Sequence, residues 1–349
     1  MNHEVNTLID RLEQSGSLDI SEYEYLLSKR SGEALEYAAK KAVIARKKVY
    51  GNTIYIRGLI EVGNICRNDC MYCGIRRSNS NCDRYRLTKE QILECCHEGY
   101  EHGFRTFVMQ GGEDGAFSAG RVCEIVSEIK KLYPDCAVTL SLGEYKRAEY
   151  KAMFNAGADR YLLRHETADK QHYEKLHPSE MSFENRMRCL YDLKDIGFQT
   201  GCGFMVGSPY QTLGTLAKDL KFIEEFSPQM CGIGPFIPHR DTPFGNMAAG
   251  TLELTLYLLS IVRLIKPTLL LPSTTALGTL NETGRERGIL AGANVIMPNL
   301  SPLSVRKKYE LYNNKLCSGA ETAEYLNELR ARMERIGYEI VIARGDIKE

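Results

Sequence analysis

Residues 54–77 read IYIRGLIEVGNICRNDCMYCGIRR. The first part, 54–61, is a short apolar run of the kind that forms a buried strand. A polar loop follows directly, with Cys66, Cys70 and Cys73 in a C-x3-C-x2-C spacing. Gly63 and Gly74 flank the thiols, so the chain can wrap around a small object. A strand that ends in a loop of chemically active residues sets the pattern for the rest of the chain.

That pattern recurs. Strand-like runs lie at 54–61, 106–110, 137–142, 160–166, 199–206, 230–236, 269–275 and 294–298, each followed by a helical stretch. Thr88 and Gln91 make a capping box before one of these helices, and glycines at 103, 157, 197 and 292 stop a helix before a strand begins. Eight strand–helix units predict an α/β fold, a (β/α)8 TIM-type barrel over 51–303. An open doubly wound sheet is the alternative. Residues 1–50 read as an N-terminal helical extension, with Ser21 and Glu24 as a capping box and a stripe of small apolar residues after Ser31. Residues 304–349 read as a C-terminal cap, with a helix at about 320–336 and a short apolar run at 338–343.

Composition narrows the function. The 349 residues carry 45 Lys+Arg against 45 Asp+Glu, and a chain of zero net charge does not point to nucleic acid or an anionic membrane as main partner. The opening residues MNHEVNTLIDRLEQ are polar, and the longest apolar run, near 254–262, is too short to span a bilayer. A cytoplasmic protein is expected, and its twelve cysteines are expected to be reduced thiols, most of them in the core.

In a barrel, the loops leaving the C-terminal ends of the strands carry the chemistry, and the three-cysteine loop leaves the first of them. Three readings of it are open: unrelated buried thiols, a closed zinc site with Cys82 as fourth ligand, or an iron–sulfur cluster held by three thiolates with one iron free for a small molecule. The second strand ends in Gln110-Gly-Gly-Glu-Asp114, where Gly111 and Gly112 let a ligand approach the backbone. On the fourth strand, alternation places Arg160, Leu162, Arg164 and Glu166 on one face and Tyr161, Leu163 and His165 on the other. Thr139 and Ser141 share a face of the third strand. A lumen lined by Thr, Ser and Arg reads as a cavity that receives an anion, or as a structural Arg–Glu pair; His165 reads as a structural histidine facing the helices.

The cysteine spacing, with Tyr72 before the last thiol, resembles the radical S-adenosylmethionine (SAM) superfamily. Longer strings, VTLSLGE (138–144), YLLRHETA (161–168), SFENR (182–186), GIGPFIPH (232–239), TTALGT (274–279) and VIMPN (295–299), resemble the HydE family of FeFe-hydrogenase maturases. This resemblance implies a 4Fe-4S cluster on Cys66, Cys70 and Cys73, with SAM chelating the fourth iron and being cleaved to a 5′-deoxyadenosyl radical. It implies SAM contacts from Gln110, the Gly111-Gly112-Glu113 turn, Thr139, Ser141, Glu166, Arg186 and Met205, with adenine against Gly232 and Ile233. It implies a substrate cavity lined by Arg160, Arg164, Thr274, Thr275 and Tyr309. The implied substrate is a small organometallic or sulfur-containing species, an iron-bound cysteine complex attacked at sulfur. Transient contacts with other hydrogenase maturases are implied as well. Some members hold a second cluster on three C-terminal cysteines; here Cys317 stands alone, and no second cluster is expected. The alternatives are a biotin-synthase-like sulfur transferase, a methylornithine-synthase-like mutase, or a carrier of an iron–sulfur synthon.

Overall fold

The computed structural model describes residues 3–317 and 325–348. Three helices come first: α1 (His3–Ser15), α2 (Ile20–Ser28) and α3 (Gly32–Tyr50). Ser31 caps α3 by accepting from the Ala34 amide. The cap of α2 is Asp19, whose amide donates to Glu22 at 3.0 Å. Ser21 and Glu24, expected in that role, already lie inside the helix, because the chain turns helical one residue after the extended Asp19.

The strands follow as β1 (Thr53–Ile56), β2 (Gly58–Gly63), β3 (Thr106–Gly111), β4 (Ala137–Ser141), β5 (Arg160–Leu162), β6 (Gln199–Cys202), β7 (Met205–Val206), β8 (Met230–Cys231), β9 (Gly234–Pro235), β10 (Val295–Ile296) and β11 (Glu339–Val341). Between and after them run α4 (Lys89–Glu101), α5 (Ala119–Leu132), α6 (Arg147–Asn155), α7 (Lys170–Leu176), α8 (Phe183–Ile196), α9 (Leu213–Phe226), α10 (Leu252–Ile265), α11 (Thr275–Leu280), α12 (Gly284–Leu290), α13 (Leu303–Arg306) and α14 (Leu326–Arg335).

The six strands β2-β3-β4-β5-β6-β8 pair in parallel in that order. Single bridges carry the ring on, Met230 to Leu270 and Pro272 to Val295, and β10 then pairs with β1. All neighbours are parallel, so the eight predicted runs close into a (β/α)8 barrel. The first run is broken at Arg57: β1 pairs with β10 and β11, while β2 pairs with β3. The seventh contributes only bridges, and its last residue, Thr275, already opens α11. Gly103, Gly157, Gly197 and Gly292 take φ of 89°, 108°, 106° and 107°, the left-handed turn that ends each helix.

The longest apolar run is α10. It is buried on nearly every side, because α3 of the N-terminal extension packs over the face that would otherwise meet water. Among the described residues no helix is long and apolar enough to cross a membrane.

The C-terminal region serves both ends of the barrel. Residues 308–317 cross the upper end, where the Gly74 amide donates to Leu311 O at 2.9 Å and the Asn313 amide to Pro238 O at 3.1 Å. Then α14 and β11 lie at the other end, with β11 parallel to β1 in the register Thr53↔Glu339. The part of the predicted helix at 320–324 lies outside the described residues.

Candidate functional site

The three cysteines and the ends of the strands enclose one cavity of about 360 Å³ at the upper end of the barrel. Cys66, Cys70 and Cys73 line it. Their loop is held in place from below by the Gly-Gly turn: a Cβ on Gly112 would lie 2.3 Å from Ile65 O and 2.7 Å from Cys66 Cβ, so no larger residue fits. The Arg67 amide donates to Glu113 O at 2.9 Å. From the side, α7 supports the loop. The Met71 amide donates to Leu176 O at 2.9 Å, and the Tyr72 hydroxyl lies 3.2 Å from His177 Nε2. His177 stacks on Tyr173 with ring centres 3.9 Å apart. Burial pushes His177 down to about 3, so it is a neutral prop. Within the loop, Ser78 and Arg76 hydrogen bonds overcome burial and hold Asp69 down at about 2.

Burial pushes all three thiols up, and for Cys70 and Cys73 a neighbouring thiol adds to it, taking Cys73 to about 12. All three residues line the same cavity. Among the described residues no three His, Cys, Asp or Glu side chains converge closely enough for one metal ion. A cube of four irons is a wider object, ligated at separate corners, and it keeps its ligating thiols as thiolates.

Part of the cavity lining is polar and incompletely satisfied. Arg164 and Glu166 line the cavity, with Arg164 Nη2 and Glu166 Oε2 3.2 Å apart but misaligned for a hydrogen bond. Among the described residues, Arg164 Nε and Thr274 Oγ1 are likewise buried without a partner. Glu166 has φ of 65°, a conformation few side-chain-bearing residues adopt, and it turns the chain beyond the end of β5, where it makes a single bridge to Phe204. Buried donors and acceptors left open toward a cavity are the mark of a place for a polar ligand. With three thiols facing the same space, the residues fit a cluster and an amino-acid-bearing cosubstrate.

Most of the residues expected at the site come together here. Gln110, Gly111, Gly112, Glu113, Ser141, Glu166, Arg186, Met205, Gly232 and Ile233 line the cavity, as do Arg164, Thr274, Thr275 and Tyr309. Arg186 is fixed by Glu144 Oε1 at 2.6 Å and by Arg164 O at 3.0 Å. Thr139 does not reach the cavity surface; it sits one layer lower on β4, buried, with Oγ1 unpartnered. Arg160 does not belong to the site. It has the expected lumen parity, but it lies at the closed end, hydrogen-bonded to Gln199, Thr106 and Arg344 O and ion-paired to Asp346 at 2.5 Å. Its counter-ion is the C-terminal tail, which sequence alternation cannot locate.

His165 is buried, accepts from the Gly203 amide at 3.2 Å and faces Asp219 at 3.4 Å, away from the cavity. Cys202 and Cys231 face each other across β6 and β8 in the core. Sequence reasoning missed Glu61, Met181, Glu144, Tyr312 and Lys315. Glu61 left a signal, a carboxylate at the end of an apolar strand; Lys315, in a loop beyond the barrel, left none. Met181 Sδ lies 3.7 Å from Cys70 Sγ.

A parallel barrel whose upper cavity faces three thiols from the loop after its first strand is the architecture of a radical SAM enzyme. The family model of the radical SAM superfamily matches residues 60–223, and the protein is a SAM-dependent radical enzyme with a 4Fe-4S cluster. The chain belongs to the HydE family: it is 48% identical over 272 residues to the FeFe hydrogenase maturase subunit HydE of Thermotoga maritima, covering 78% of this chain and 77% of that one. It is 29% identical to the 3-methylornithine synthase of Methanosarcina acetivorans, over 82% of this chain and 81% of that one. The crystal structure of methylornithine synthase (PylB) superposes with a TM-score of 0.83 at 25% identity, covering 96% of this chain and 97% of that chain.

Proposed function

We propose that the protein is a cytoplasmic maturase that acts on a sulfur-containing, iron-bound precursor of the hydrogenase diiron centre. The observation that carries this reading is the cavity itself. The three thiols share that cavity with Arg164, Glu166 and Thr274, whose polar atoms are unsatisfied among the described residues, so a cosubstrate and a polar second molecule can be held together.

Cys66, Cys70 and Cys73 would hold the 4Fe-4S cluster, whose chemistry would be the one-electron reductive cleavage of SAM to a 5′-deoxyadenosyl radical. The protein's part is to hold and to exclude. The Gly111-Gly112 turn lines the cavity beside Glu113, where the methionine part of SAM would lie, and Glu166 and Arg186 supply opposite charges for its amino and carboxylate groups. Gly232 presents open space at the cavity wall: a Cβ added there would come no nearer than 4.0 Å to the Leu162 side chain, so a flat ring can lie against the backbone. Gly234 allows Thr274 to come close, since a Cβ there would lie 2.9 Å from its Oγ1. Arg164, Thr274, Thr275 and Tyr309 then surround the second molecule. Leu59 and Leu162 add apolar surface to the cavity wall.

Cys66, Cys70 and Cys73 provide one cluster site. A second cluster is absent from this proposal, since Cys317 has no partner cysteines in the sequence beyond it. Other maturases deliver the precursor and receive the product in transient contacts.

The test is anaerobic. Reconstituted protein is reduced with dithionite and given SAM, and 5′-deoxyadenosine is measured. Cleavage is expected, with about four irons per chain; an intact cluster without cleavage supports the carrier reading, and about six irons overturns the single-cluster assignment. The mutase reading draws on the likeness to methylornithine synthase. Attack on sulfur leaves the adenosyl group joined to the product through a new carbon–sulfur bond, which mass spectrometry distinguishes from a rearranged amino acid.

A further inference from the structure

One ion pair in the cavity wall has no part in the chemistry above. Glu61, at the upper end of β2, and Lys315, on the segment that crosses the barrel, both line the cavity. Lys315 Nζ donates to Glu61 Oε1 at 2.6 Å, with the two side chains 8% and 0% exposed. The other carboxylate oxygen of Glu61 accepts from Asn299 Nδ2 at 2.9 Å, so the carboxylate is satisfied on both sides.

The ammonium is not. It has three N–H groups. One goes to Glu61, and the ring of Tyr309 lies beneath it at 5.2 Å. Among the described residues the other two donors have no acceptor. Taking a lysine out of water is costly, and a buried pair offsets the cost only when its remaining donors find acceptors. Nothing in the described protein wall supplies them, and the cavity lies in front. A compact ammonium with rotatable donors suits a carboxylate.

We propose that Lys315 is a specificity-determining residue that binds the carboxylate of an amino-acid-derived substrate, with Glu61 and Tyr309 holding the ammonium in place. The inference rests on the cavity being the substrate site of the proposed radical reaction. It also gives the segment from Tyr309 to Lys315 a reason to lie across the barrel: it brings a substrate contact to a cavity that the strands alone leave open on that side.

L-Cysteine and cysteamine test it, since they share thiol and amine and differ by the carboxylate. Titration calorimetry on reconstituted, SAM-loaded holoenzyme is expected to show L-cysteine bound about tenfold or more tightly than cysteamine. Lys315→Met should bind the two alike, Lys315→Arg should keep most of the preference, and both should bind SAM as the unmodified protein does. Lys315→Met leaves Glu61 buried and unpaired, so the double variant Glu61→Gln/Lys315→Met, which removes both charges, guards against a folding defect; it too should show no preference. The proposal is overturned if the unmodified protein binds both probes alike or neither, or if either variant lacking Lys315 keeps the preference. A loss of SAM affinity in Lys315→Met would instead assign the residue to the cosubstrate and overturn the proposal. Failure of the underlying reading shows separately, as an unmodified holoenzyme that does not cleave SAM.

Discussion

Arg160 and Arg164 stand four residues apart on the same strand run and share its lumen face, yet the barrel treats them differently. At the closed end, every nitrogen of Arg160 is engaged: Nε with Gln199, Nη1 with Thr106, Nη2 with Arg344 O and Asp346. At the open end, Arg164 keeps Nε and Nη2 unsatisfied beside a misaligned Glu166. The contrast separates two uses of a buried charge. One end commits its arginine to closing the fold around a tail; the other leaves its arginine ready for something that arrives from outside.

The strongest way to separate the ends is to remove one thiol. Cys73→Ala is expected to abolish SAM cleavage and to lower bound iron sharply, because only three thiolates hold the cluster. Iron analysis and a 5′-deoxyadenosine assay check both. Asp346→Ala, at the other end, should leave both readings intact. Its effect is on stability: it strands the buried Arg160 guanidinium, though Gln199, Thr106 and a carbonyl remain as partners. With Asp346 itself 39% exposed, the loss should be about 2 kcal/mol, between the values for surface and buried pairs. A urea midpoint lowered at unchanged slope is the expected result; a variant as stable as the parent would mean that the tail does not close the barrel in solution.

Acid should loosen the open end first. Burial lowers His165 and His177 from an ordinary 6.5 to about 3. The unfolded chain takes up these protons near pH 6.5 and the folded chain refuses them until about pH 3. Their stabilising contribution is therefore complete above pH 6.5 and is lost as pH falls through that window, by up to about 1.4 kcal/mol per pH unit for each histidine. At the closed end, Asp346 is buried in part, but Arg344 and Arg160 hold it below its ordinary 3.8, so its contribution persists until pH falls below that value. Urea midpoints followed from about pH 7 to about pH 4 should decline, and His177→Gln should flatten the decline. A Cys-loop probe should report the change before a probe on the C-terminal tail.

The face of each strand was legible in the sequence, and depth was not. Period-two alternation puts Arg160, Arg164 and Glu166 on one side, and Cys66, Gly112 and Glu166 were found by position along strand ends, because a barrel presents those ends together. Thr139 and Ser141 show the limit: both have lumen parity, and one layer of depth separates a cavity wall from a buried hydroxyl. Depth depends on strand stagger and on what fills the lumen from outside the repeat. Here that filler is the tail at 344–346 below and the segment at 308–317 above, two pieces that reach Arg160 and Glu61 from 186 and 254 residues away along the chain. No local pattern encodes such a meeting, so Lys315 and the partner of Arg160 both came only from the structure.

Two smaller substitutions sharpen the comparison at the open end. Arg164→Met should cost little stability, since its guanidinium has few protein bonds to lose, while weakening substrate turnover about tenfold; Arg160→Met should do the reverse. Thr274→Val is the finest probe. Its hydroxyl is buried beside Gly234 with no partner, so an isosteric methyl removes an unsatisfied group instead of a bond. If that hydroxyl waits for substrate, the variant should be as stable as the parent or more so, by up to about 1 kcal/mol. It should cleave SAM normally in the absence of substrate, with the Michaelis constant for substrate raised a few-fold. Were the hydroxyl structural, the same variant would melt lower and bind substrate unchanged, and the division between a closed end that is satisfied and an open end that is not would fail at its most local point.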